Sequence, residues 1–295
     1  MADFSVRIPA LARALAGARS VVRRADRGLF GLEVLNSTAD HDRGPQHWER
    51  MRGDCRAAFV LSTGRTGTKT LAALFDQSPH IAPHHEPEPR LIALSYLAWT
   101  GVEDERFWRE AVQVARDPLL FEALKSGKLY FEASNRMTFL APALKAAYPR
   151  SRFLLVSRRA GGFIKSAMKR GYYQGHPWDH ARPRPAQGWG DQTPEQKCAW
   201  LWAETHRFAL DFAEAAGDRA MILHAEDLFA GDLGRVVDVF AFVGVDPPPT
   251  PRLQAVLDSP RNAQVGTFPW GQEARVDEAL LAPLADLERR LGYGA

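Results

Sequence analysis

Cysteine is scarce: Cys55 and Cys198 are the two in 295 residues, and no CxxC spacing occurs. That excludes a disulfide framework and argues against a thiolate zinc site. The reducing cytoplasm is the default compartment for such a chain. Long apolar runs are also missing. The longest, at 153–156 and 199–203, fall far short of the ~20 residues that span a bilayer. Neither sign of charge dominates, since 38 basic against 35 acidic side chains leave +3, too little to suggest nucleic-acid binding. There is no internal repeat and no low-complexity tract. What remains is 45% apolar and 25% charged, an ordinary globular composition that sets aside fibrous and disordered classes. The length suits one large or two small domains. Arginine outnumbers lysine by 31 to 7, the bias of a GC-rich bacterial gene.

The charge is unevenly placed. Residues 1–35 hold Arg7, Arg13, Arg19, Arg23, Arg24 and Arg27 against Asp3, Asp26 and Glu33. Leu11, Leu15, Ala18 and Val22 recur there at helical spacing, with most of the arginines off that stripe. Three readings stay open: a helix packed on its own domain, an amphipathic helix in peripheral contact with an anionic membrane, and a transit-peptide-like leader. No cleavage site follows a continuous apolar region. Residues 40–55 read as polar and irregular. We therefore expect a basic amphipathic segment over 1–55 and one α/β domain over 56–295.

Within that domain, short apolar runs at 57–61, 80–83, 129–133, 153–157 and 220–224 read as buried strands. Helical patterns occupy 71–75, 91–100, 104–115, 138–147, 194–216 and 280–291. Strands alternating with helices predict an α/β fold with a central parallel sheet flanked by helices. Residues 172–193 are rich in Pro, Gly, Trp and His and carry no period, which predicts a long surface loop of the kind that serves as a lid. Trp200, Trp202, Phe208 and Phe212 read as a core helix stripe. His176 and His180 are four apart, but Pro177 argues against a helical metal face.

The strongest signal is the turn Ser62-Thr63-Gly64-Arg65-Thr66-Gly67-Thr68-Lys69-Thr70, between a strand and a helix. Gly64 and Gly67 let the backbone turn tightly and aim N–H groups inward. The next helix begins with its positive dipole end at the same point. Thr66, Thr68 and Thr70 add hydroxyls, and Arg65 and Lys69 add charge, so the turn is suited to an oxyanion. An ordinary glycine turn with solvated cations is the plain alternative. The ATP-type loop G-x-x-x-x-G-K-[ST] fails at both glycines, because Thr63 and Thr68 stand in their places. The run 153–156 ends in Ser157-Arg158-Arg159 where a magnesium-binding aspartate would be needed.

Thr63 to Thr68 resembles the [ST]-G-R-[ST]-G-T loop of sulfotransferases that use 3′-phosphoadenosine 5′-phosphosulfate (PAPS). A second motif agrees: a strand ending in Arg158, with Ser166 eight residues later. In that family the loop holds the 5′-phosphosulfate and the Arg/Ser pair holds the 3′-phosphate, which ATP lacks. Fainter likenesses to carbohydrate-type members follow at His85-Glu86-Pro87, at His224-Ala225-Glu226-Asp227-Leu228, at Gly266 and Trp270, and at the terminal 287–293. The resemblance implies a P-loop NTPase-like sulfotransferase fold. It implies sulfuryl transfer from PAPS, leaving 3′,5′-bisphosphoadenosine (PAP), to a hydroxyl or amine of a small-molecule, lipid or carbohydrate acceptor. It also implies a donor site of Arg65, Thr66, Gly67, Thr68, Lys69, Thr70, Arg158 and Ser166, with no metal required. Soluble members commonly carry an adenine-stacking tryptophan where Thr70 stands, and Lys69 replaces a usual threonine.

Such chemistry rests on positioning and charge neutralisation, for which Arg65 and Lys69 serve, plus a base for the acceptor proton. Glu86 matches the glutamate that acts as base in some members, and is expected to sit buried between His85 and Pro87. His85 and His84 come second, since histidine titrates near neutrality. Glu132 comes third, with Asn135 orienting the acceptor. Aromatics of the 172–193 segment would meet rings of the acceptor, and Arg182 and Arg184 its acidic groups. Two rivals stay open: a P-loop kinase or NTPase, and a non-catalytic nucleotide-binding scaffold at a membrane surface.

Overall fold

The computed structural model of the protein describes residues 44–176, 179–185, 187–259 and 271–294. The chain divides into Met1–Arg50 and Met51–Ala295. The described part of the first unit is residues 44–50, which open helix α1 (Pro45–Asp54). A helix therefore stands where an irregular stretch was expected. The amphipathic pattern of residues 1–35, together with Gly266 and Trp270, lies outside the described residues.

The second unit is a parallel sheet of β1 (Ala57–Leu61), β2 (Ile81–His85), β3 (Leu129–Ala133), β4 (Ser151–Ser157) and β5 (Ala220–His224), in the order β2-β3-β1-β4-β5. All neighbours run parallel, with Phe59 opposite Glu132 on one side and Phe153 on the other. The central strands are fully buried apolar runs, as strands covered on both faces must be. The two-residue alternation sends Phe59, Leu61, Tyr130, Phe153 and Leu155 to one face, against α4 (Glu105–Lys125), α5 (Ala141–Ala147), α6 (Ala160–Lys169) and α7 (Pro194–Ala216). It sends Val60, Phe131, Leu154 and Val156 to the other, against α2 (Thr68–Phe75), α9 (Leu233–Val243) and α10 (Thr250–Leu257). There Phe75 stands edge-on to Phe131 at 4.3 Å and Phe240 at 4.8 Å. Trp202 and Phe212 join the first core, as the stripe reading expected.

The chain leaves β1 toward β2 on one flank and leaves β4 toward β5 on the other. The crevice between the carboxyl ends of β1 and β4 is thus a topological switch point, where ligands of open α/β sheets bind.

Three boundaries differ from expectation. Helix α4 runs past Pro118 to Lys125. An internal proline costs about 3 kcal/mol, and burying Leu120 and Phe121 at about 1.5–3 kcal/mol each offsets it. Strand β2 extends to His85, carrying that ring to the sheet's carboxyl edge. The closing helix breaks into α11 (Glu278–Leu281), a 3₁₀ turn at Ala282–Leu284 containing Pro283, and α12 (Ala285–Arg290). Between β5 and α9 lies the short helix α8 (Ala225–Phe229). No helix among the described residues is long and apolar enough to cross a membrane.

Candidate functional site

The turn after β1 is pinned from beneath. Ser62 N–H donates to Thr138 Oγ1 at 2.9 Å, and Thr138 Oγ1 donates back to Ser62 O at 3.0 Å. Gly64 N–H donates to Ser62 Oγ at 3.1 Å. Gly64, Arg65 and Gly67 all take positive φ, at 75°, 60° and 81°. A Cβ on Gly67 would stand 3.1 Å from Phe229 Cε1, and one on Gly64 3.3 Å from Asn135 Nδ2. Both glycines therefore serve conformation and close approach together. Helix α2 starts at Thr68 with Gly67 as its N-cap and no capping side chain. Its first N–H groups and dipole face the turn.

Across the crevice, Arg65 Nε donates to Ser166 Oγ at 3.1 Å, and Arg158 Nη1 donates to Arg65 O at 3.0 Å. The two sequence motifs thus meet, and Arg65 reaches the serine expected at the opposite end of the donor. Neither guanidinium is ion-paired among the described residues. Burial pulls Arg65 below its ordinary value, with Arg170 and Arg158 adding repulsion and Tyr172 opposing. Burial lowers Arg158 likewise, against Glu226. Half-buried cations in that condition are stabilised by an anion. Phe229 follows the 224–228 segment, and its ring centroid lies 5.2 Å from the Arg158 guanidinium. The ring is 53% exposed. Sequence reasoning missed it, because nothing local signals its approach to Gly67. Thr66 is fully buried, with Oγ1 lacking a partner among the described residues. Its hydroxyl is therefore sealed under the turn, whereas Thr68 and Thr70 are half-buried.

Helix α6 does not compete for the anion. Its start is occupied by Glu288 Oε1, which accepts from Ala160 N–H at 2.7 Å, and by Glu226 Oε1, which accepts from Arg159 N–H at 3.0 Å. Tyr293 Oη donates to Glu226 Oε2 at 2.9 Å, so the 224–228 and 287–293 segments lock together beside Arg158.

The base candidates separate clearly. His85 Nε2 lies 3.4 Å from Thr68 Oγ1. Burial lowers its pKa, with Lys69 adding to the shift and Glu86 opposing it, which favours the neutral ring. Glu86 is exposed rather than buried, at φ 49°, its N–H donating to Ala133 O at 3.3 Å. His84 faces the Tyr130 ring at 4.9 Å, its pKa also lowered by burial. Glu132 is closed to solvent, with both oxygens accepting from Arg116 at 2.6 and 2.9 Å and one from Tyr130 Oη at 2.7 Å. That saturated pair is structural, which removes Glu132 from the candidates.

A cavity of about 250 Å³ opens where these elements meet. Gly64, Arg65, Thr68 and Lys69 line one side, and His85, Glu86 and Asn135 another. Tyr172, His176 and Arg182 close it; the described residues of the expected 172–193 loop carry one 3₁₀ turn, at Asp179–Ala181. Arg182 is 3% exposed, pairs with Asp179 at 3.0 Å and lies 3.4 Å over the Tyr172 ring. Arg184 is exposed and His180 likewise. Non-glycine residues with positive φ gather here: Arg65 and Glu86 line the cavity, and Leu91 and Tyr173 adjoin lining residues. Such strain costs of order 1–3 kcal/mol per residue and concentrates at functional sites.

No family model and no curated protein matches the sequence. Among solved structures, the sulfotransferase domain of the Synechococcus PCC 7002 olefin synthase superposes with a TM-score of 0.54 at 14% identity, covering 82% of this chain and 96% of that one. The sulfotransferase domain from the curacin biosynthetic pathway gives 0.52 at 14% identity, over 80% and 97%. The chain thus has the sulfotransferase fold, with a central parallel sheet and a glycine turn after β1.

Proposed function

We propose that the protein is a sulfotransferase that moves a sulfuryl group from PAPS to a hydroxyl or amine of its acceptor. The observation that carries this reading is the meeting of Arg65, Ser166 and Arg158 beside the Gly64–Gly67 turn at the sheet's switch point. Two half-buried guanidiniums without an ion pair among the described residues, and a hydroxyl, fit a second phosphate that ATP does not carry. Arg158 and Ser166 would hold the 3′-phosphate. The turn's N–H groups, Thr68, Lys69 and Thr70 would hold the 5′ end, with Arg65 between. Phe229 offers a face to adenine in place of the tryptophan absent at position 70. When bound, PAPS supplies an activated sulfuryl group on a good leaving group.

His85 takes the acceptor's proton: burial favours its neutral ring, and it lines the cavity and reaches Thr68 of the turn. Glu86 flanks it and favours the imidazolium that forms. Lys69 neutralises charge growing on the bridging oxygen.

Calorimetry with PAP, ATP and AMP tests the reading. PAP should bind most tightly, and Arg158→Ala or Ser166→Ala should erase its advantage over AMP. Each lost charge-assisted bond is worth about 1.5–3 kcal/mol, or about 10- to 150-fold. ATP binding as tightly as PAP, undiminished by either change, favours a kinase or NTPase instead.

A further inference from the structure

The cavity's charge exceeds what the donor needs. Among the described residues, Glu86 is the single carboxylate on its lining, against Arg65, Lys69, Arg90, Arg136, Arg170 and Arg182. Arg65 and Lys69 belong to the turn and answer to the donor. Arg136, Arg170 and Arg182 come from three other places: the 3₁₀ turn after β3, the residue that ends α6, and the 172–193 segment.

Their positions are fixed by the fold. Arg136 N–H donates to Ser134 Oγ at 3.3 Å, and the next residues, Met137 and Thr138, are buried. The Arg136 guanidinium reaches the cavity without an ion pair among the described residues. Burial lowers its pKa, and Arg182 repels it. Arg182 is aimed by Asp179 and by the Tyr172 ring. The Asp179 carboxylate also accepts from the N–H groups of Tyr173, Gly175 and His176, at 3.0, 3.1 and 2.9 Å. Its charge offsets that of Arg182, so the excess on this side of the cavity begins with Arg136. Like charges held together in a small, partly desolvated space are stabilised by an anion. Planar guanidiniums arriving from several directions match the oxygens of a carboxylate or phosphate.

We infer that the acceptor carries an oxyanion of its own, a carboxylate or phosphate, gripped by Arg136, Arg170 and Arg182 while its hydroxyl or amine faces His85. This inference rests on the sulfotransferase reading and narrows it to anionic acceptors. A cavity of about 250 Å³ admits a small hydroxy or amino acid, or the anionic end of something larger.

The test uses the full chain saturated with PAP, so that the donor site is filled. Inorganic phosphate and acetate are titrated separately by calorimetry. At least one should bind saturably, and its affinity should fall at least tenfold in Arg136→Gln or in Arg170→Gln, variants on different elements. PAP affinity should stay within twofold in both. Which anion binds distinguishes phosphate from carboxylate, and 3-hydroxybutyrate against 1,3-butanediol then checks that charge and hydroxyl are recognised together. No saturable site for either anion, or one indifferent to both variants, overturns the inference while leaving the donor reading intact. Failure of PAP to bind at the outset overturns the donor reading, and this inference with it.

Discussion

Replacing Phe229 by alanine isolates one part of the donor site with little cost to the fold. The ring is 53% exposed, so its removal should move stability by no more than about 1 kcal/mol. It also loses a contact with the Arg158 guanidinium 5.2 Å away, worth about 0.5–1 kcal/mol at an exposed site. Stacking between a base and an aromatic ring is worth about 1–3 kcal/mol. The loss in PAP affinity should therefore be about 5- to 150-fold, with thermal unfolding almost unchanged. Phe229→Trp should restore affinity, because it keeps a flat face at the same place. Calorimetry with PAP and a melting curve on each variant decide the matter. Alanine binding PAP within twofold of wild type would refute adenine stacking on Phe229.

Three further outcomes follow from particular side chains. His85→Asn should lower sulfuryl transfer by about 10²- to 10⁴-fold, followed as PAP release, and remove a wild-type acidic limb centred below pH 6.5; a limb that persists in the variant would overturn His85 as the base. Glu132→Gln should cost about 3–5 kcal/mol in denaturant unfolding, because it leaves the buried Arg116 charge uncompensated; a stable variant lacking only activity would restore a catalytic role. His206 is fully buried, its Nε2 without a partner among the described residues, and burial pushes its pKa down to about 4 against a hydrogen bond with Trp202 O. Between that value and 6.5 the unfolded chain binds the extra proton, so stability should fall by roughly 3 kcal/mol as pH drops through this window and hold above it; His206→Gln should flatten that component of the pH dependence.

Much of this architecture was legible in the sequence because its signals are local. Buried parallel strands read as unbroken apolar runs, so 57–61, 129–133 and 220–224 match the observed strands. Helix α7 begins as read because Thr193 and Gln196 form a capping box ahead of the apolar stripe. The turn and the Arg158/Ser166 pair were visible as spacings. What escaped depends on distant partners. Glu132 looks like a strand-end acid until Arg116, from another element, closes on it. Phe229 looks like a helix-end residue until the fold brings it beside Gly67. Arg136, Arg170 and Arg182 form a cluster solely because β3, α6 and the segment after it end around one cavity. The described residues of 172–193 do form a loop, but its polar composition does not announce that Arg182 and Tyr172 are buried together.

The most direct test is a crystal structure of the protein with PAP. The 3′-phosphate should lie between Arg158 and Ser166, the 5′-phosphate on the Gly64–Gly67 turn, and the adenine on Phe229. PAP bound away from the carboxyl ends of β1 and β4, or held there without Arg158 and Ser166, would contradict the proposed donor site.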